Sequence, residues 1–404
     1  LSATSEIVRT GPSPSTRDLK YDGIVCFGGE DWWYHNRGHF DFQMMREMSR
    51  HLPVLYVNSV GMRFPKLAEG AVFFQRLRRK WASIRRGIVR VRDDFSVYSP
   101  LTVPGTLGRR LSRPSLVAQT RWALRKLGFE RPLIWAAIPT AWNVLQELAD
   151  FDFVYQRTDR YEEFPGVDRK QIEHYDANLK RAAKLTVFCA SDLYHAEGPH
   201  CRNPLYVDHG VDFDAFAGSS SCEEPEDMRG IPHPRAGFIG GIDLQTFDPE
   251  LFAAVVALLP DVHFVLVGGS TLADGWLEAP NVHHLGRKDY EEVWRYPGHC
   301  EVLLMPWART KWIEGCNPVK LKEYLATGRP IVTVPFAELE HYAGLVRTAS
   351  DAESFAAEIR GALRTGWAGA DARRERVRRE SWTSRADLVL ATLASGDERL
   401  PARG

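Results

Sequence analysis

No apolar run in this 404-residue chain approaches the roughly 20 residues that a membrane span needs. The opening stretch, Leu1 to Lys20, lacks the apolar core of a signal peptide and mixes Ser, Thr, Pro and Gly, so it reads as a disordered tail. No C-x-x-C pair occurs among the six cysteines, Cys26, Cys189, Cys201, Cys222, Cys300 and Cys316. That spacing argues against a zinc site or a disulfide framework and for reduced thiols in a cytosolic protein. Those inside apolar runs read as small core residues. Net charge is missing too: 52 Lys and Arg balance 52 Asp and Glu, so the chain as a whole is no polyanion binder. Neither Gly28-Gly29 nor Gly240-Gly241 extends to a G-x-G-x-x-G fingerprint, which weakens a dinucleotide reading.

What is present is a soluble globular composition, 44% hydrophobic and 26% charged, on a length that suits two domains of about 150–200 residues. Short apolar runs alternate with helical patterns. Gly23–Gly28, Val54–Val57, Leu133–Ile138, Phe153–Tyr155 and Leu185–Cys189 read as strands, with helices around Trp142–Leu148 and Arg169–Ala183. The Gly-, Ser- and Pro-rich segment from Ala217 to Pro234 interrupts this and reads as a linker. The alternation then restarts with strands at Ala236–Gly241, Val262–Gly268, Val282–Leu285, Val302–Met305 and Ile331–Val334. Helical patterns at Pro249–Leu259, Pro318–Thr327 and Ala352–Leu363 separate these strands. The expectation is an α/β chain with two Rossmann-like, doubly wound parallel sheets. Its parts are a tail at 1–20, a first domain at 21–216, a linker at 217–234, a second domain at 235–370, and a terminal helix and tail at 371–404. Such sheets bind ligands outside the carboxyl ends of their strands. Two of them facing across a cleft suit transfer of a group from a nucleotide carrier to an acceptor.

The most informative stretch runs from Glu314 to Val332. Asn317 fits a helix cap and Pro318 the first turn, with Gly328 ending the helix and Pro330 opening the next strand. The helix start at Asn317, Pro318 and Val319 offers free N–H groups to a diphosphate. Lys320 lies one turn in, and Glu323 lies on roughly the same face, where a carboxylate can accept two ribose hydroxyl protons. Leu321 and Leu325 point into the core. The ordinary alternative is an amphipathic helix with a solvated Lys–Glu pair.

The pattern Asn-Pro-x-Lys-x-x-Glu-Tyr-Leu-Ala-x-Gly-x-Pro-Ile-Val resembles the donor-site signature of GT-B glycosyltransferases, family-4-like, of the teichuronic-acid and exopolysaccharide type. Asp208-His-Gly-Val-Asp-Phe-Asp-Ala-Phe216 resembles that family's Asn-Gly-Val-Asp-x-x-x-Phe element. Asn281 to Val293 resembles its nucleobase-pocket element. The resemblance runs from about Tyr21 to Leu393, dense in the second half and looser in the first. It implies a hexosyltransferase-like enzyme that uses a nucleoside-diphosphate sugar, UDP favoured, as co-substrate and no cofactor. The acceptor would be a saccharide or lipid-linked hydroxyl in cell-surface polysaccharide or glycoconjugate synthesis. Family members carry two glutamates with seven residues between them; here Glu314 and Glu323 have eight between them. The ribose role therefore falls on Glu323, and Glu314, Cys316 or Asn317 is left for the sugar. Gly240 and Gly241 would approach the donor, with Arg287, Arg309 or Lys311 as additional cations. No D-x-D triad falls in a candidate site, so fixed positive groups would replace a metal. Two alternatives are a sugar-nucleotide epimerase or hydrolase on the same fold, and a noncatalytic interaction protein.

In the first domain Gly28 and Gly29 end the first strand and let backbone approach a ligand, with Arg37 and His39 close behind. Trp32 and Trp33 can stack on a sugar ring or simply pack. After the Phe153–Gln156 strand, Arg157, Asp159 and Arg160 are expected at a ligand-facing edge. Asp159 is the candidate general base, Glu162 and Glu163 the alternatives, and salt bridging to the arginines the competing explanation. The basic run Arg76–Arg92, with Leu77, Trp81, Ile84 and Ile88 at helical spacing, reads as an amphipathic segment on an anionic membrane surface. A solvated helix face would look the same, and no nucleic-acid fold signature accompanies the charge. The expected location is cytoplasmic, peripheral at the inner face of the cell membrane.

Overall fold

Four-residue runs of branched and aromatic side chains are buried on both faces, which is the signature of parallel strands covered by helices. A computed structural model describes residues 19–34, 38–58, 78, 81–101, 106–164, 166–273, 275–314 and 316–398. The chain divides into two compact units.

The first unit comprises residues 1–189, 194–207 and 383–404. Its described strands are β1 (Ile24–Phe27), β2 (Val54–Val57), β3 (Ile88–Arg92), β4 (Phe95–Tyr98), β5 (Leu133–Ala136), β6 (Phe153–Arg157), β7 (Leu185–Phe188) and β8 (Pro204–Tyr206). They form one sheet in the order β3-β4-β2-β1-β5-β6-β7-β8, parallel except for the antiparallel β3–β4 pair. The order reverses between β1 and β5, so the carboxyl ends there form a switch point.

The second unit comprises residues 190–193 and 208–382. Strands β9 (Arg235–Ile239), β10 (His263–Val267), β11 (Val282–Gly286), β12 (Val302–Met305), β13 (Ile331–Thr333) and β14 (Arg347–Thr348) run parallel in the order β11-β10-β9-β12-β13-β14. That is the doubly wound order of a dinucleotide-type domain, with its switch point between β9 and β12. The core around this sheet joins Phe238, Val265 and Leu304 to Leu321 and Leu325 of the Val319–Thr327 helix.

Several boundaries differ from the sequence-based expectation. The expected linker at 217–234 belongs to the second unit, with Met228 and Ile231 buried and Ser219 Oγ accepting a hydrogen bond from Gly298 N at 2.7 Å. Its glycine, serine and proline build turns, which is turn chemistry rather than mobility. The first domain ends at Val207, not at 216, because Phe213 and Phe216 join the second core. The expected terminal helix is two helices, Ala370–Val377 in the second unit and Trp382–Glu398, which passes to the first unit from Thr383. Of the expected tail, 1–18 lies outside the described residues, while Leu19 is buried and Lys20 pairs with Asp152 at 2.8 Å. The expected basic helix is also corrected. Residues 81–85 are helical, Gly87 turns the chain at φ +65°, and Ile88–Arg92 is an edge strand. Arg76, Leu77, Arg79 and Lys80 lie outside the described residues. Among the described residues no helix is long and apolar enough to cross a membrane.

Candidate donor site

The Val319–Thr327 helix sits between β12 and β13, with its start at the switch point of the second sheet. Its N-cap is Pro318, at φ −82° and ψ 121°, one residue later than the sequence implies, and no side chain caps it. Asn317 is buried and turns away from capping: its Nδ2 donates to Asp208 Oδ1 at 2.6 Å. In the first turn the Leu321 N–H donates to the Pro318 carbonyl at 3.1 Å, while those of Val319 and Lys320 have no hydrogen bond among the described residues and are left to an incoming anion. Gly328 closes the other end at φ +77°, a left-handed position that suits glycine.

Four side chains fix this helix in the fold. Leu321 and Leu325 are buried, as their spacing implied. Tyr324 Oη accepts from Ile239 N at 2.8 Å, tying the helix to the end of β9. Lys322 is fully buried, ion-paired with Asp208 and Glu380, and donates to the His209 carbonyl at 2.7 Å. Lys322 and Asp208 were not singled out by sequence reasoning. Both lay inside quoted motifs, but no periodicity announces a partner 114 residues away.

On the other face, Lys320 and Glu323 converge with Gly240. A Cβ on Gly240 would lie 2.6 Å from Lys320 Nζ, so the ammonium rests against the backbone just after β9. Gly240 itself crosses Gly268, where a Cβ would fall 1.7 Å from the Gly240 carbonyl oxygen. Glu323 is only 8% exposed. Burial raises its carboxyl above the usual range; Lys320 pulls it down and Asp212 pushes it further up. Burial likewise lowers the Lys320 ammonium, with Glu323 opposing. Neither group forms a hydrogen bond or ion pair among the described residues. Two desolvated, oppositely charged groups without hydrogen-bond or ion-pair partners among the described residues, the Lys320 ammonium over the Phe238 ring at 6.0 Å, form beside an uncapped helix start a site poised for a polar ligand.

The remaining donor-side candidates are more peripheral. Gly241 and Arg287 are exposed, the latter directly after β11. Arg309 donates to the Ser350 carbonyl instead, Glu314 is exposed, Cys316 is half-buried, and the Lys311 side chain lies outside the described residues. A further buried carboxyl, Glu338, follows β13 in the Ala337–Tyr342 turn. Burial, reinforced by Asp208, pushes it up to about 8.

In the first unit, Gly28 and Gly29 are held by their neighbours. A Cβ on Gly28 would strike Tyr56 Oη at 1.9 Å, and Gly29 N donates to Asp41 Oδ2 at 2.8 Å. Tyr56 donates to the same Asp41 oxygen at 2.7 Å. Trp32 packs among Phe42, Tyr56 and Phe95, which favours packing over sugar stacking for that ring. His39 is exposed at the N-cap of the Phe40–Met48 helix, and Arg37 lies outside the described residues. Asp159 is half-buried at the carboxyl end of β6. Arg157 does not reach that edge as expected. It is 1% exposed and clasped by Glu162, Asp176 and Glu197 at 3.0–3.4 Å. Glu162 is thereby engaged, and Glu163 pairs with Arg169.

Residues 233–365 match the family model for Glycosyl transferases group 1. A "Putative teichuronic acid biosynthesis glycosyltransferase TuaH" of Bacillus subtilis is 29% identical over 175 residues, which take in 41% of this chain and 43% of that protein. The crystal structure of Anabaena HepE in complex with UDP and glucose aligns with a TM-score of 0.65 at 14% identity, over 93% of this chain and all of that one. An Escherichia coli trehalose-6-phosphate structure bound with UDP-2-fluoro glucose aligns with a TM-score of 0.62 at 12% identity, over 94% of this chain and 99% of that one. At these identities the structural likeness is one of fold.

Proposed function

We propose that this chain, whose residues 233–365 match the family model for Glycosyl transferases group 1 and which has the GT-B fold, moves a sugar from a nucleoside diphosphate to an acceptor hydroxyl. UDP is the favoured carrier, since similar folds hold UDP or a UDP-sugar. The setting is the synthesis of cell-surface polysaccharide or glycoconjugate, as the name of the TuaH relative indicates for that protein. The observation that carries this reading is the pair Lys320 and Glu323, desolvated and unpaired beside the uncapped helix start at Val319.

The chemistry follows from where charge develops. As the glycosidic bond to the diphosphate breaks, negative charge grows on the leaving oxygens. The first-turn N–H groups and the Lys320 ammonium then stabilise it without reorganising. Glu323 accepts ribose hydroxyl protons and so fixes the nucleoside end. Asp159, at the carboxyl end of β6, takes the proton of the acceptor hydroxyl. An epimerase or hydrolase would need no acceptor, and an interaction protein no nucleotide.

Titrating UDP calorimetrically into Glu323→Gln and Asp159→Asn separates the two roles. Glu323→Gln is expected to lose about 1–3 kcal/mol of UDP affinity, the scale for a charged acceptor in a buried site. Asp159→Asn is expected to keep UDP affinity while turnover drops. Undiminished UDP binding by Glu323→Gln removes Glu323 from the donor site, and a fully active Asp159→Asn ends the base assignment.

A further inference from the structure

The segment that leads from the Ala352–Thr365 helix into Ala370–Val377 carries one exposed tryptophan and a run of arginines, and the function above uses none of them. Trp367 is 43% exposed. Arg329 stacks on its ring at 4.0 Å from the centroid and Arg374 lies at 5.4 Å. Together with Phe213, Ser220, Ser221 and Arg378, Trp367 and Arg374 line an open cavity of about 510 Å³ in the second unit. Arg329 is not on that lining.

The charge around this cavity is unbalanced. Arg373 donates to the Gly328 and Ala368 carbonyls, Arg374 to the Thr327 carbonyl, and Arg329 to the Gly298 carbonyl. None of the three meets a carboxylate at ion-pair distance among the described residues. Arg378 lies over Phe213 at 4.7 Å and, among the described residues, meets one carboxylate, the exposed Glu375, at 2.9 Å. Burial lowers both Arg329 and Arg373 from the usual guanidinium range; Glu301 opposes the shift at Arg329, Arg347 reinforces it at Arg373, and Arg374 adds to each. Carbonyl dipoles orient these cations without cancelling them, so an anion entering the cavity meets net positive charge.

We propose that this cavity is a second saccharide site, selective for chains bearing carboxylate groups. Its size falls within the about 300–1,000 Å³ of small-ligand sites. Trp367 offers a ring held flat for the apolar face of a sugar. Ser220 and Ser221 offer adjacent hydroxyls, and Arg374 and Arg378 the carboxylate partners. The site lies at the Gly328 end of the helix whose Val319 end faces the donor, about 13 Å away at 1.5 Å per residue, so the two do not overlap. The saccharide class rests on the glycosyltransferase reading; the charge does not.

The test is calorimetry on the full chain and on Trp367→Ala and Arg378→Gln, with four probes: a uronic-acid oligosaccharide, a neutral one of equal length, inorganic phosphate, and UDP. The acidic oligosaccharide is expected to bind about tenfold tighter than the neutral one, and each variant to weaken it about fivefold or more. UDP affinity is expected to be the same in all three proteins. Should Trp367→Ala fail to fold, Arg378→Gln decides alone, because its side chain is exposed. Equal binding of acidic and neutral chains, unaltered binding in the variants, or phosphate binding as tight as the oligosaccharide overturns the proposal. Failure of UDP to bind the unmodified chain overturns the donor reading instead, whatever the oligosaccharide does.

Discussion

Gly240 and Gly268 show how two glycines can be required for different reasons. At Gly268 an added Cβ would sit inside the Gly240 carbonyl, and backbone cannot yield cheaply. Gly268→Ala is therefore expected to cost about 1–3 kcal/mol of stability, the scale of overpacking, or more. At Gly240 the clash is with the flexible end of Lys320, which can swing away. Gly240→Ala is expected to fold with nearly unchanged melting temperature but to turn over slowly, because the ammonium is displaced from the diphosphate. A normal turnover in that variant would separate Lys320 from the chemistry. Glu338 makes a different prediction. Its carboxyl titrates near 8 in the fold against an ordinary 4.5, so the folded chain holds an extra proton between those values. The unfolded chain binds fewer protons there, and stability falls as pH rises through the window. Glu338→Gln keeps the shape without the charge. It should match the parent's melting temperature near pH 4.5 and exceed it above pH 8, by on the order of a few kcal/mol in stability. Parallel melting curves across pH would place the proton elsewhere.

The Val319–Thr327 helix is the element on which the donor reading turns, and its buried underside is as informative as its exposed start. Lys322 has Asp208 and Glu380 around it and no exposure. Lys322→Met removes the cation and leaves two carboxylates facing each other in the interior. A loss of about 3–5 kcal/mol in chemical denaturation is expected, the scale for breaking a buried pair. A loss under 1 kcal/mol would mean that water reaches the cluster. This helix also shows what a sequence discloses and what it withholds. Its caps and apolar spacing are local, so Gly328, Leu321 and Leu325 could be read directly. Its cap residue shifted by one because Asn317 found a partner in Asp208, a contact that no local pattern encodes. Most strands buried on both faces were legible from their apolar runs; β4 was missed, because Ser96 interrupts its short run of Phe95, Val97 and Tyr98. β3 was not legible either: Ile88 continues the helical spacing of Leu77, Trp81 and Ile84 across Gly87, and only pairing with β4 makes Ile88–Arg92 a strand. β8 and β14, three and two residues long and not fully buried, carry too little pattern to detect.

For the whole molecule, zero net charge conceals local imbalance. Arg78, Arg85, Arg86, Arg90 and Arg92 are all exposed on the first unit, near Trp81, which is 55% exposed. The basic surface survives although the helix expected to carry it does not. If the acceptor is lipid-linked, this surface should meet anionic vesicles. Sedimentation with them should weaken as salt shortens the Debye length from roughly 8 Å at physiological strength. Replacing Arg78, Arg85, Arg90 and Arg92 by Gln should abolish it with UDP binding intact. Indifference of the unmodified chain to anionic vesicles at low salt would point to a soluble acceptor.

The Trp382–Glu398 helix has a consequence for how the chain is made. From Thr383 onward it belongs to the first unit, where Thr383 Oγ1 donates to Glu47 Oε2 at 2.9 Å and Val389, Leu390 and Leu393 are buried. Both segments of the second unit, 190–193 and 208–382, thus lie between segments of the first. A ribosome delivers residues in order, so the second unit has all of its residues while the first still lacks a helix. Glu47 meets Thr383 only after 336 further positions of chain have been added, so of the two units the one that starts first is completed second.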